Sequence, residues 1–325
     1  AEATAAYMFW TVTLGAVPAI LNVVMAYLVR AEGSAMHASV GTMSGCLLNI
    51  LLDPIFILPW GLNLGAAGAG LATCISNVVA CLYFAVLLLV KRGHTYVCVH
   101  PKKFWCGRRI MGGVFAVGIP ASIQNLLNVT GMTVLNNFTA AYGASAVAAM
   151  GIAQKINIVP MYVSMGISQG IMPLISYNYA SGNVDRMKQT VRFSRKAALS
   201  IILLISAFYF LLPGVMVSLF MQDPEIVQYG SRFLRGFCLG LPFLCVDFLA
   251  VGVFQAVGMG KEALAFAILR KVLLEIPALL ILNWLFPLYG LAYAQFIAEC
   301  ILSLAAVLVL RRLFHRLESQ PRPSP

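Results

Sequence analysis

Leu14-Gly15-Ala16-Val17-Pro18 opens one apolar run of this chain, and Leu239-Gly240-Leu241-Pro242 opens another in the same setting. Further along, Pro54 is answered by Pro277, and Gly68-Ala69-Gly70-Leu71-Ala72 by Gly290-Leu291-Ala292-Tyr293-Ala294. The three offsets are 224, 223 and 222 residues. An offset this steady over three landmarks points to two related halves. Internal repeats in an apolar chain are a mark of secondary transporters.

Composition sets the solvent. Of 325 residues, 61% are hydrophobic and 10% charged, against about 45–50% and about 25% in an ordinary soluble chain. Mean hydropathy is +0.88. No soluble core hides that much apolar surface, whereas a bilayer accepts it. The expected fold is therefore an all-α membrane protein. The net charge of +11 sits in short clusters between apolar runs, a pattern of topology rather than of nucleic-acid binding. Most of the eight cysteines lie inside apolar runs, where a thiol acts as a small hydrophobe. Cys98 and Cys106 share a polar segment with His94 and His100, but their spacing fits no standard zinc pattern.

Nine stretches are long enough to cross a hydrocarbon layer: 6–29, 35–58, 66–90, 111–140, 146–175, 197–220, 226–257, 263–286 and 288–310. Alternate connectors must fall on one side of the membrane. One set, in which Arg270 and Lys271 are counted, holds 19 of the 22 Lys and Arg residues. The other set holds none. The positive-inside rule then puts the C-terminus in the cytoplasm and Ala1 outside. An offset of about 223 residues spans six helices, an even number, so the repeats are parallel. By this count the second lobe has six helices and the first only three, and the expectation is a truncated twelve-helix protein that lacks its first three helices. The expected organisation is 1–90 as the rest of the N-lobe, 91–110 as a cytoplasmic linker, 111–312 as the C-lobe and 313–325 as a cytoplasmic tail. Gly41-xxx-Gly45, Gly166-xxx-Gly170 and Gly236-xxx-Gly240 are spaced for close helix packing.

Ionisable groups inside a membrane are costly and are functional candidates. Asp53 lies deep in an apolar run, one helical turn after Asn49. A carboxylate beside an amide carbonyl suits Na⁺, or the carboxylate itself takes a proton; Thr73 and Ser76 on the next helix supply hydroxyl oxygens. The competing reading is an Asn-Asp pair capping a helix break before Pro54. Asp247 follows Pro242 much as Asn22 follows Pro18. Asn22, Gln124, Asn125, Asn128, Asp247 and Glu275 are candidates for a substrate or second-lobe cavity. Lys155 and Glu299 join them, with an ion pair between these two as the plainer alternative. Asp223 and Glu225 are near enough to neutralise Arg232 and Arg235. No Walker loop, serine-hydrolase elbow or His-Glu-x-x-His motif occurs, so the chain does not read as an enzyme, and no cofactor is implied.

Asn49-Ile-Leu-Leu-Asp53-Pro54-Ile-Phe56, Gly65-Ala-Ala-Gly68-Ala-Gly70-Leu-Ala-Thr73-Cys-Ile-Ser76 and Gly151-Ile-Ala-Gln-Lys155 together resemble the multidrug and toxic compound extrusion (MATE) family of the MOP superfamily. Gly166-Ile-Ser-Gln-Gly170-Ile-Met-Pro173-Leu-Ile-Ser-Tyr177-Asn178-Tyr179 and Phe254-Gln255-Ala256-Val257-Gly258 complete the likeness. Its flavour is that of the prokaryotic DinF/MepA-like branch, and it covers helices four to twelve. The resemblance implies an antiporter that exports cytotoxic, often cationic compounds across the inner membrane in exchange for H⁺ or Na⁺. It implies small-molecule drugs and the lipid bilayer as partners, no nucleic acid, no cofactor and a monomer. It further implies a first-lobe cation site in which Asn49, Asp53 and Thr73 match the motif, joined by a helix-one Asp that this chain does not contain. Gln124 and Asn125 stand where some branches carry a helix-seven acid. A lipid-linked saccharide flippase of the same superfamily and an intramembrane enzyme are the alternatives.

Overall fold

The computed structural model describes residues 2–91, 95, 97 and 107–319. It divides into two compact units, Ala1–Trp105 and Cys106–Pro325. Among the described residues every regular element is a helix. Cys98, Cys106, His94 and His100 lie outside the described residues.

The first unit begins with α1 (Glu2–Met8), which passes into a π-helical stretch, Phe9–Leu14, and then into α2 (Ala16–Ala31). The chain bends by 50° between these two parts. Pro18 accounts for much of this, because its ring clashes with the carbonyl of Leu14, one turn back. α3 (Ala35–Ile57) and α4 (Gly65–Val90) complete the unit. They approach closely because α3 offers glycine where α4 offers bulk. A Cβ on Gly41 would lie 2.4 Å from Phe84 Cζ, and one on Gly45 would lie 3.1 Å from the Ser76 carbonyl oxygen. Between helices in lipid the hydrophobic effect supplies no drive, so such small-residue contacts carry the packing.

The second unit contains α5 (Arg108–Ala140), α6 (Ala144–Ala180), α7 (Val184–Leu211) and the short α8 (Pro213–Ser218). α9 (Pro224–Ala256) follows and forms the core of the unit, packed against α6, α7 and α12. α10 (Gly260–Ile268) runs without interruption through a second π-helical stretch, Leu269–Glu275, into α11 (Ile276–Leu285). α12 (Gly290–Ser319) ends the described chain. Two serines on α6, eight residues apart, stitch it to α9: Ser168 donates to the Phe248 carbonyl and Ser176 to the Ala256 carbonyl, each at 2.7 Å. Gly236 and Gly240 let α12 approach α9 at Ala292 and Phe296, as their spacing predicts. A Cβ on Gly166 or Gly170 meets no neighbour, so that third glycine pair does not pack a helix as expected.

Among the described residues seven helices are long and apolar enough to cross a membrane, and the bent pair Glu2–Leu14 and Ala16–Ala31 makes an eighth if taken as one span. The remaining expected span, 263–286, corresponds to the α10–π–α11 stretch, whose composition is interrupted by Arg270, Lys271 and Glu275. Apolarity locates the lipid-facing part of a helix rather than its ends. α7 therefore starts at Val184, well before the expected 197, on a charged first half that includes Lys188, Arg192, Arg195 and Lys196. It stops at Leu211 because Pro213 disfavours helical backbone in Leu212 before it. The last helix likewise runs on through residues 313–319, which the sequence suggested as tail. There Leu313, Phe314 and Leu317 pack beside Ile175, Met187 and Val253, and Lys188 pairs with Glu318.

Candidate functional site

The first unit carries a ladder of polar side chains across three helices. α3 places Asn49 and Asp53 on one face, and the Asn49 amide donates to Asp53 Oδ1 at 3.3 Å. The same Nδ2 reaches Thr73 Oγ1 on α4 at 3.5 Å. Thr73 spends its own proton on the Ala69 carbonyl, at 2.9 Å. Its oxygen therefore faces Asn49 as an acceptor. One turn on, Asn77 donates to the Thr73 carbonyl at 3.0 Å. Asn22 on α2 then donates to Asn77 Oδ1 at 3.1 Å. Two buried oxygens beside the ladder, Asn22 Oδ1 and Ser76 Oγ, have no hydrogen-bond partner among the described residues. Among the described residues no Lys or Arg pairs with Asp53. The result is a carboxylate, amide and hydroxyl set with acceptor oxygens to spare, which suits a proton or a hard monovalent cation. α3 runs unbroken through Pro54 to Ile57, so Asn49 and Asp53 do not cap a helix break.

The second unit holds a different kind of cluster. Arg270, on the π-helical stretch, lies between Asp247 of α9 and Glu299 of α12. Its Nη1 is 3.6 Å from Asp247 Oδ2 and its Nη2 is 2.6 Å from Glu299 Oε1. All three residues are buried: Asp247 is 1%, Arg270 4% and Glu299 0% exposed. The guanidinium also sits 5.1 Å from the centre of the Phe248 ring. Next to it, Lys271 Nζ donates to both oxygens of Glu275, at 2.8 and 2.6 Å. At 2.6 Å the Arg270–Glu299 pair lies within reach of a charge-assisted hydrogen bond, whereas the Asp247 contact at 3.6 Å is ionic only. Among the described residues Asp247 Oδ1, Arg270 Nε and Glu299 Oε2 lack hydrogen-bond partners.

The MatE family profile matches residues 120–281 of this chain. Multidrug export protein MepA of Staphylococcus aureus (strain bovine RF122 / ET3-1) is 36% identical over 299 residues, covering 92% of this chain and 65% of MepA. MepA of Staphylococcus haemolyticus (strain JCSC1435) is 35% identical over 300 residues, with the same coverage. The fold matches the outward-facing conformation of a multidrug resistance MATE family transporter of the MOP superfamily. The TM-score is 0.90 at 26% identity, over 97% of this chain and 70% of that one. The chain belongs to the MATE family. It is a multi-pass membrane protein and spans 65% of the length of the curated relatives it matches.

Of the sites expected in this MATE chain, the structure brings Asn49, Asp53 and Thr73 together and adds Asn22 to the same ladder. Asn77 escaped the sequence reading, although it lies one turn from Thr73, the spacing that links Asn49 to Asp53. Glu299 pairs with Arg270 and not with Lys155, whose side chain is exposed. Arg270 and Lys271 are not connector charges either: they are buried inside a helix, which leaves 17 basic residues in the connector set. Their signal was the Lys271-to-Glu275 spacing within an apolar run. Gln124 accepts from Gln255 at 3.5 Å, while Asn125 is exposed and Asn128 partly buried on the same helix. Near the other end of α9, Asp223 caps the helix and Glu225 accepts from Ser145. Arg232 and Arg235 stack on Tyr289 and Phe210. Aromatic faces, rather than acids, are the partners of these two arginines.

Proposed function

We propose that this chain serves ion-coupled export of cytotoxic organic compounds, often cationic ones, with Asn49, Asp53 and Thr73 as the place where H⁺ or Na⁺ binds. The observation that carries the reading is the ladder itself: one carboxylate, with no basic partner among the described residues, accepts from an asparagine amide that also reaches a threonine hydroxyl on the neighbouring helix. A charge inside the hydrocarbon layer costs up to about 2.5–3.5 kcal/mol on insertion scales. Neutralising Asp53 with a proton or Na⁺ removes that penalty. About 3 kcal/mol corresponds to roughly a hundredfold shift between two conformations, enough to couple ion binding to a change of access. The relatives named for multidrug export support the substrate class. The family resemblance supports the inner membrane as the location, and the basic connectors support a cytoplasmic C-terminus. Small-molecule drugs and the bilayer are the partners, the working unit is a monomer, and no cofactor takes part.

The test is efflux of a cationic dye from proteoliposomes under separately imposed proton and sodium gradients. Asp53→Asn abolishes gradient-driven efflux while the protein stays folded and inserted. Undiminished efflux by Asp53→Asn removes this site from the mechanism.

A further inference from the structure

We infer that Arg270 acts as a built-in cation in the second unit, occupying the space between Asp247 and Glu299 that a monovalent metal ion would otherwise take, and so keeps this unit from responding to Na⁺. The inference rests on the reading of Asp53 as the ion-responsive acid, since it explains why a second acidic cluster does not compete with it. Three helical elements converge here, two of them bringing an acid and the third the arginine. The carboxylates face a common positive group, and Asp247 Oδ1 and Glu299 Oε2 are buried with no hydrogen-bond partner among the described residues. Buried, convergent carboxylate oxygens with free lone pairs are what a hard cation requires. The guanidinium meets that need from within the chain, and the Phe248 ring beside it closes part of its surroundings. Its backbone position follows from the π-helical stretch Leu269–Glu275, where the wider turn displaces side chains from ordinary helical register. Lys271 is held by Glu275 on the same stretch and is not free to replace it.

Withdrawing the arginine should convert the cluster into a sodium site. The experiment uses the full chain in detergent and an Asp53→Asn background, which removes the first-unit acid. Binding of ²²Na⁺ is measured by equilibrium dialysis for D53N and for D53N with Arg270→Ala, alongside thermal melts in NaCl and in choline chloride. The expected result is one additional Na⁺ per chain in the Arg270→Ala protein, with a melting temperature raised by NaCl and not by choline. Adding Asp247→Asn and Glu299→Gln should abolish both effects. Equal ²²Na⁺ binding with and without Arg270 overturns the inference. If the Arg270→Ala chain is recovered only when extracted in NaCl, the inference stands; if it is recovered in neither salt, the inference falls. Undiminished dye efflux by Asp53→Asn alone would defeat the first-unit reading and leave these sodium-binding outcomes to be judged separately.

Discussion

The two units answer the same requirement with opposite chemistry. Asn77 of α4 and Glu299 of α12 lie 222 residues apart, the offset that relates Gly68 to Gly290. Asn22 follows Pro18 by four residues and Asp247 follows Pro242 by five. In the first unit the two amides bond directly, Asn22 to Asn77. In the second a guanidinium stands between two carboxylates. A neutral bridge supplies connection without charge, so Asp53 is left as the ionisable member of its ladder. A charged bridge binds its own counter-ion. The difference separates a unit whose acid is available to an ion from one whose acids already hold an internal cation.

The most damaging way to break this comparison is to remove the internal cation. Arg270→Met strands two buried carboxylates and is expected to cost about 3–5 kcal/mol of stability, read as a lowered melting temperature in detergent without sodium. Replacing all three members (Asp247→Asn, Arg270→Met, Glu299→Gln) should restore most of that loss, because a balanced apolar or neutral core needs no counter-ion. The corresponding change in the first unit should behave in the opposite way. Asp53→Asn removes an acid with no basic partner, so the melting temperature holds or rises, while gradient-driven efflux falls by about a hundredfold. A protein that loses stability at Asp53 and efflux at Arg270 would reverse the assignment.

Much of this was legible in the sequence. The spans follow from apolarity, and the Asn49–Asp53–Thr73 convergence follows from one-turn spacing together with the family motif. What escaped notice has a physical cause. Arg270 and Lys271 resemble connector charges because hydropathy averages a window and sees neither the acids of other helices that flank Arg270 nor the pairing of Lys271 with Glu275 one turn on. The Glu299 partner depends on α10, the π-helical stretch and α12 meeting in space, which no local pattern encodes. The far end of α7 was hidden for the converse reason: its charged first half is helical outside the apolar part. Gly41-xxx-Gly45 and Gly166-xxx-Gly170 look alike in sequence, yet only the first meets a neighbouring helix.

Smaller effects sharpen the contrast between the units. A Cβ on Gly252 would come within 2.1 Å of Ser168 Oγ, at the α6–α9 seam. Gly252→Val should therefore destabilise the second unit by about 1–3 kcal/mol, seen in thermal melts, through overpacking and loss of the Ser168 hydrogen bond. The smallest expected effect belongs to the neutral bridge. A double-mutant cycle on Asn22→Ala and Asn77→Ala should give a coupling of about 0.6 kcal/mol, typical of interhelical hydrogen bonds in membranes. A coupling several times larger would mean that this bridge is not the mild, uncharged connection described above.

The division of labour between the units is tested most directly by measuring dye efflux side by side for Asp53→Asn and Asp247→Asn chains in proteoliposomes, driven by whichever ion gradient the unaltered chain uses. Asp53→Asn should be inactive. Asp247→Asn, in which Arg270 keeps Glu299 as its partner, should still export dye. An active Asp53→Asn chain beside an inactive Asp247→Asn chain would contradict the account.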